Sequence, residues 1–235
     1  VSAQAWSSTG STSNTTLETA YLAVYGSNGL GVNNRDGAAS GTCGTGAGTV
    51  DCGDLLSTVP EHAIDNNQRY DSVLFSFTNK VSLNSVTLGY PPSSSTTLDS
   101  DLTILAYTGS NASYDPTTAF SGQTYQALVS TGNWTFITNL ADVSNQTNMT
   151  GTFSTAVSSK FWLIGTYIPL TGTGNPDSSC TTTLQNQGQC VTGDDFAKIK
   201  SVSGNSNKVP EPGSLALVGA ALAAAGWSRK RAAKR

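Results

Sequence analysis

Phe161-Trp162-Leu163-Ile164-Gly165-Thr166-Tyr167-Ile168 is the most apolar stretch in the main body of the chain. Its apolar, aromatic and branched residues fit a central core strand. Working outward, Trp134–Leu140 (WTFITNL) alternates through Trp134, Phe136 and Thr138, and Leu102–Tyr107 (LTILAY) is a second short buried strand. Ser72–Phe77 (SVLFSF) and Val81–Tyr90 (VSLNSVTLGY) extend the pattern, with a phase slip at Asn84-Ser85 that fits a bulge or a turn. Leu17–Tyr25 alternates in part. Turn residues separate the runs, among them Pro91-Pro92, Asp115-Pro116 and Gly172-Thr173-Gly174. Short strands, frequent turns and no strong helical period predict an all-β fold: a jelly-roll-like β-sandwich, with one helix near Thr118–Leu128.

Composition narrows the setting. Only 11% of the 235 residues are charged, while Ser and Thr together number 63. Such a chain is solvated by hydroxyls and amides, a habit of extracellular β-proteins. The net charge of −3 hides an asymmetry. Residues 209–235 carry Arg229, Lys230, Arg231, Lys234 and Arg235 against one acid, leaving 7 basic and 14 acidic residues before them. An acidic body with no basic-aromatic stripe argues against nucleic acid as a partner.

The cysteines form two short-range pairs, Cys43 with Cys52 and Cys180 with Cys190. Local disulfides are the simplest of the three connectivities, since closing a short loop costs little entropy. Each would staple a loop, such as the Gly/Thr-rich segment 37–49, in an oxidising compartment. Neither pair has the spacing of a zinc knuckle.

Both ends resemble processing signals. Ala3-Gln4-Ala5 fits the small-x-small pattern before signal-peptide cleavage, which places residues 1–5 at the end of a leader and the mature start near Trp6. At the other end a polar segment, 203–208, precedes Val209-Pro210-Glu211-Pro212, an uncharged run holding Leu215, Leu217, Val218, Leu222 and Trp227, and the basic Arg229-Lys230-Arg231. As a helix, Leu215–Trp227 would span about 20 Å, short of the roughly 30 Å bilayer core. A short, Ala/Gly-rich run suits a transient membrane stop, with the basic cluster left inside. The expected organisation is a β-sandwich over 6–202, a linker over 203–208 and a tail over 209–235.

That tail resembles the PEP-CTERM sorting signal. The resemblance implies recognition by an exosortase in a Gram-negative bacterium, with the membrane as a transient partner and exopolysaccharide as a possible destination. Within the body, Glu61-His62-Ala63-Ile64-Asp65-Asn66 and Asp99-Ser100-Asp101 before LTILAY resemble a family of exosortase-dependent surface proteins. This second resemblance implies a location and a fold and no activity.

Two clusters invite a site hypothesis. Asp65, Asn66 and Asp71 supply oxygens before one strand, and Asp99 and Asp101 before another. If loops at one end of a sandwich bring them together, calcium is a candidate cofactor. The alternative is that they cap turns. His62, the single histidine, lacks a Gly-x-Ser-x-Gly partner motif. Glu18 and Glu61 show no glycosidase spacing, and Gly41–Gly48 lacks the Lys-Ser/Thr ending of a phosphate loop. Trp134, Tyr70 and Tyr90 are candidate stacking faces or core residues. Asn14, Asn111, Asn133, Asn145 and Asn148 open glycosylation sequons. The expected function is a non-enzymatic surface or matrix protein, self-assembling or bound to exopolysaccharide. The alternative is a carbohydrate-binding or adhesive module, calcium-assisted or not.

Overall fold

The computed structural model describes residues 1–10, 12–34, 63–66, 69–90, 98–176 and 194–206. They form a mostly antiparallel β-protein, as expected. In chain order the strands are β1 (Ser2–Ser8), β2 (Leu17–Thr19), β3 (Tyr21–Val24), β4 (Leu30–Asn33), β5 (Ile64–Asp65), β6 (Asp71–Tyr90), β7 (Leu98–Asp99), β8 (Leu102–Tyr107), β9 (Trp134–Leu140), β10 (Thr150–Thr152), β11 (Ser159–Thr166) and β12 (Asp194–Ser206). Two short helices, α1 (Pro116–Ala119) and α2 (Tyr125–Ser130), lie between β8 and β9.

The 20-residue β6 organises the molecule. Its first half pairs with β1 on one side and β11 on the other, and β11 continues to β8 and β9. Its second half pairs with β10 and with β12, which continues to β4 and β3. One strand thus serves two layers. Side-chain alternation shows how they pack. Ala5, Val73, Phe75, Ile104, Ala106, Trp162 and Ile164 of the first layer share a buried cluster with Leu83, Val86, Leu88, Ala197 and Ile199 of the second. The intervening residues of the first layer, Trp6, Leu74, Leu105 and Leu163, point the other way, into a cluster with Phe120, Tyr125 and Leu128 from the helical segment. The first layer is therefore apolar on both faces, which is why FWLIGTYI shows no polar alternation. Each large side chain so buried contributes about 1.5–3 kcal/mol.

The phase slip in VSLNSVTLGY is a bulge. Opposite β12, Ser85 faces Ser203 and Leu83 faces Gly204, so Asn84 is an extra residue. It lets Leu83 and Val86 both point inward despite their odd spacing.

Three boundaries differ from expectation. Ser2–Ala5, expected to lie outside the domain, form part of β1: six residues from Ser2 to Ser7 pair with β6, and Ala5 is buried in the core. The expected linker from 203 onward is strand as far as Ser206, because its backbone completes the ladder with Val81–Ser85. The single helix expected over Thr118–Leu128 is two. Asp115 caps the first by accepting from Thr117 N–H (2.9 Å), Thr124 caps the second by accepting from Ala127 N–H (3.0 Å), and Gly122 turns between them at φ +75°.

Candidate functional site

One member of each expected cluster, Asn66 and Asp101, is tied to a residue missed in the sequence, Asp195. Asp195, at the start of β12, is almost fully buried. Its Oδ1 accepts from Asp101 N–H (2.8 Å), and its Oδ2 accepts from the Asn66 side-chain amide (2.6 Å). Asn66 Oδ1 accepts in return from Asp195 N–H (2.8 Å), a reciprocal clamp between the end of β5 and β12. Asp101 passes the connection on, its Oδ1 accepting from Asp142 N–H (2.7 Å). Ser100 reinforces it by accepting from Ser144 N–H (2.7 Å). The backbone of Asp99 lies parallel to this chain, paired with Asp195. Asp71 is buried at the start of β6, opposite Ser7, and Asp65 is buried in β5 opposite Phe196.

The chemistry of this chain is that of turn-tying. The carboxylate oxygens with assigned bonds face N–H donors, which satisfies backbone groups that loops would otherwise bury unpaired. Among the described residues, no three His, Cys, Asp or Glu side chains converge as a metal ion would need. Asp195 had a legible signal: Asp194-Asp195 stands directly before Phe196-Ala197-Lys198-Ile199, as Asp99-Ser100-Asp101 stands before LTILAY.

The chain ends at a polar cleft of about 750 Å³ lined by Asp142, Asn145, Gln146, Asn148, Thr150 and Thr152, with Ala141 and Thr147. The three described non-glycine residues at positive φ, Asp142 (47°), Asn148 (55°) and Met149 (50°), all lie in this segment. Asn and Asp tolerate that region, whereas Met does so only under constraint from its surroundings.

A second cavity, about 510 Å³, opens at the far ends of β8 and β11, with Lys80, Lys160, Phe161 and Tyr107 in its wall. The three proposed stacking residues lie elsewhere. Trp134 is 1% exposed, and its indole N–H donates to Tyr114 Oη (3.0 Å), so it offers no face to solvent. Tyr90 and Tyr25 instead flank the Lys198 ammonium, 4.6 and 4.0 Å from their ring centres, and burial lowers that lysine's pKa. Tyr70 is half-buried, with its pKa raised by burial and then by Asp195. Asn14, Asn111, Asn133, Asn145 and Asn148 are all exposed.

Cys43, Cys52, Cys180, Cys190, His62 and Glu61 lie outside the described residues, as does the tail with Val209–Pro212 and Arg229–Arg231. No helix among the described residues is long and apolar enough to cross a membrane.

The tail is assigned by comparison instead. Residues 208–231 match the PEP-CTERM protein-sorting motif. The chain carries a PEP-CTERM sorting tail. The match takes in Val209-Pro210-Glu211-Pro212, the apolar run and Arg229-Lys230-Arg231. A PEP-CTERM signal implies export and membrane-associated sorting to the cell surface. No curated protein and no solved structure matches the chain.

Proposed function

We propose that this is a non-enzymatic surface protein of a Gram-negative bacterium, cut from its tail by an exosortase and released to the cell surface or its polysaccharide matrix. The match at residues 208–231 carries this reading. The body supports it. Its hydroxyl-rich, weakly charged composition suits an extracellular setting, and the aspartate chain that resembled a site in the sequence joins loops to one another. Local disulfides at Cys43–Cys52 and Cys180–Cys190 fit the same compartment. A glycan-binding module on this scaffold is the second reading, favoured by a cleft lined with amide and hydroxyl side chains, the groups that pair with sugar hydroxyls.

The test is intact-mass analysis of the protein from cells with and without their exosortase. Cells with the enzyme are expected to yield a chain shortened near Pro210, and cells without it the full tail in the membrane fraction. Identical C termini in both would refute the sorting step. Replacing Glu211 and Pro212 by Ala should reproduce the enzyme-less pattern.

A further inference from the structure

The cavity at the ends of β8 and β11 sits where the sheet's pairing is offset. Ser159 faces Val81 across β6 and β11, yet Phe161 faces Ser76. Two steps along one strand match five along the other, so Phe77–Lys80 carry three extra residues. Thr78, Asn79 and Lys80 are exposed there, and so is Lys160 between the two register points. The offset is locked. The Trp162 indole N–H, fully buried, donates to Val81 O and Ser159 O (3.2 Å each), fixing both sides of it. Ser159 Oγ donates to Tyr107 O (2.7 Å) and accepts from Phe161 N–H (3.0 Å). Bulges of this kind re-aim side chains, and here they bring two cations to one rim.

The lining has a definite chemistry. Among the described residues, Lys80 and Lys160 are its charged groups and no carboxylate lines it, in a body where acids outnumber bases two to one. Half-buried Phe161 gives an apolar wall beside Tyr107, whose buried hydroxyl has no hydrogen-bond partner among the described residues. Thr108, Ser110 and Asn111 add hydroxyl and amide groups. The volume lies within the range of small-ligand pockets and accommodates roughly one or two sugar rings.

We propose that this cavity binds a carboxylated saccharide, with Lys80 and Lys160 paired to its carboxylate and Phe161 packed on the sugar's apolar face. It deepens the glycan-binding reading and is independent of exosortase cleavage. Calorimetric titration with tetragalacturonate tests it, with a neutral galactose tetramer and free acetate as comparison ligands. The uronate should bind, and more weakly at high salt. Neither the neutral tetramer nor acetate should match it. Lys80→Ser with Lys160→Ser should weaken binding roughly fivefold or more. Lys200→Ser, a change at another exposed lysine, should leave it intact. Phe161→Ser should weaken it without changing the salt dependence. Unchanged melting temperatures certify that the lysine variants are folded. Equal binding by the double lysine variant overturns this site while leaving glycan binding elsewhere. Equal binding of the neutral tetramer or of acetate overturns the proposed selectivity, and no binding of the uronate by the unaltered protein overturns the proposal itself.

Discussion

Tyr125 shows how much one hydroxyl can hold together. Its Oη donates to Tyr70 O (2.9 Å) and lies 2.8 Å from Ser72 Oγ, tying α2 to the start of β6. Burial drives its phenol pKa far above the usual range; the Ser72 hydrogen bond opposes this and the charge of Asp71 adds to it. The folded protein therefore keeps a proton that an unfolded tyrosine loses near pH 10. Where the native state binds more protons, stability falls as pH rises. Tyr70 and Tyr114 shift in the same direction, while Lys198 shifts downward and acts oppositely just below its ordinary pKa. Tyr125→Phe should cost about 1–3 kcal/mol at pH 7, because Ser72 is left buried with one partner fewer. It should also flatten the loss of stability above about pH 10. Urea denaturation at pH 7 and across the alkaline range reads both effects; parallel alkaline curves for the two proteins would contradict the assignment. Gly29 sets a different single-residue constraint. It sits at φ +97°, and a Cβ there would press on the Ile199 carbonyl of β12. Strain and close approach act together, so Gly29→Ala should lower stability by about 2 kcal/mol or more, seen as a fall in melting temperature of more than about 4 °C.

Elements were legible in the sequence where side chains decide them and illegible where the backbone does. FWLIGTYI and LTILAY became β11 and β8 because both faces are buried, and the odd spacing in VSLNSVTLGY was a real bulge. By contrast SVSGNS offers almost no apolar signal, and its strand character comes from pairing with β6. SAQAWSS was obscured by its likeness to a cleavage site, although Trp6, fully buried against Phe120 at 5.1 Å, shows its role. The aspartates were legible as a type, oxygen donors preceding strands, but their partners were not, because Asp195 lies 94 positions from Asp101 and 129 from Asn66. Deleting residues 1–5 removes most of the β1 ladder and the buried Ala5, and exposes the flank of β6. The truncated protein should melt well below the intact one, or aggregate through the bared strand edge; equal melting would show β1 to be dispensable. Asp195→Ala should be as costly, about 2–5 kcal/mol, since it strands the Asp101 N–H and leaves the Asn66 amide only its longer bond to Tyr167 O (3.4 Å). Asp195→Asn, which retains one oxygen acceptor, should cost less. Melting of the intact protein should be the same in millimolar calcium and in chelator, and a rise with calcium would return these carboxylates to the role of ligands.

At the scale of the whole molecule, the strands among the described residues end before the sorting match begins. The two buried clusters draw on residues from Ala3 to Val202, and the last described strand ends at Ser206. The sorting match begins at residue 208. If the body packs without the tail, it can fold first and be released afterwards with no rearrangement. The charge distribution points the same way. Five of the twelve basic residues lie in 209–235, so cleavage would leave an acidic body that repels anionic membrane surfaces. A protein ending at Ser206 should therefore melt within about 2 °C of the full-length chain, a shift that corresponds to less than about 1 kcal/mol for a domain of this size. It should also show no affinity for anionic vesicles, whereas the full-length chain should bind them through its basic cluster and apolar run. Differential scanning calorimetry and vesicle co-sedimentation read the two properties separately. A large loss of thermal stability on truncation would mean that the tail packs on the body, and release by cleavage would then have to proceed through unfolding of that contact.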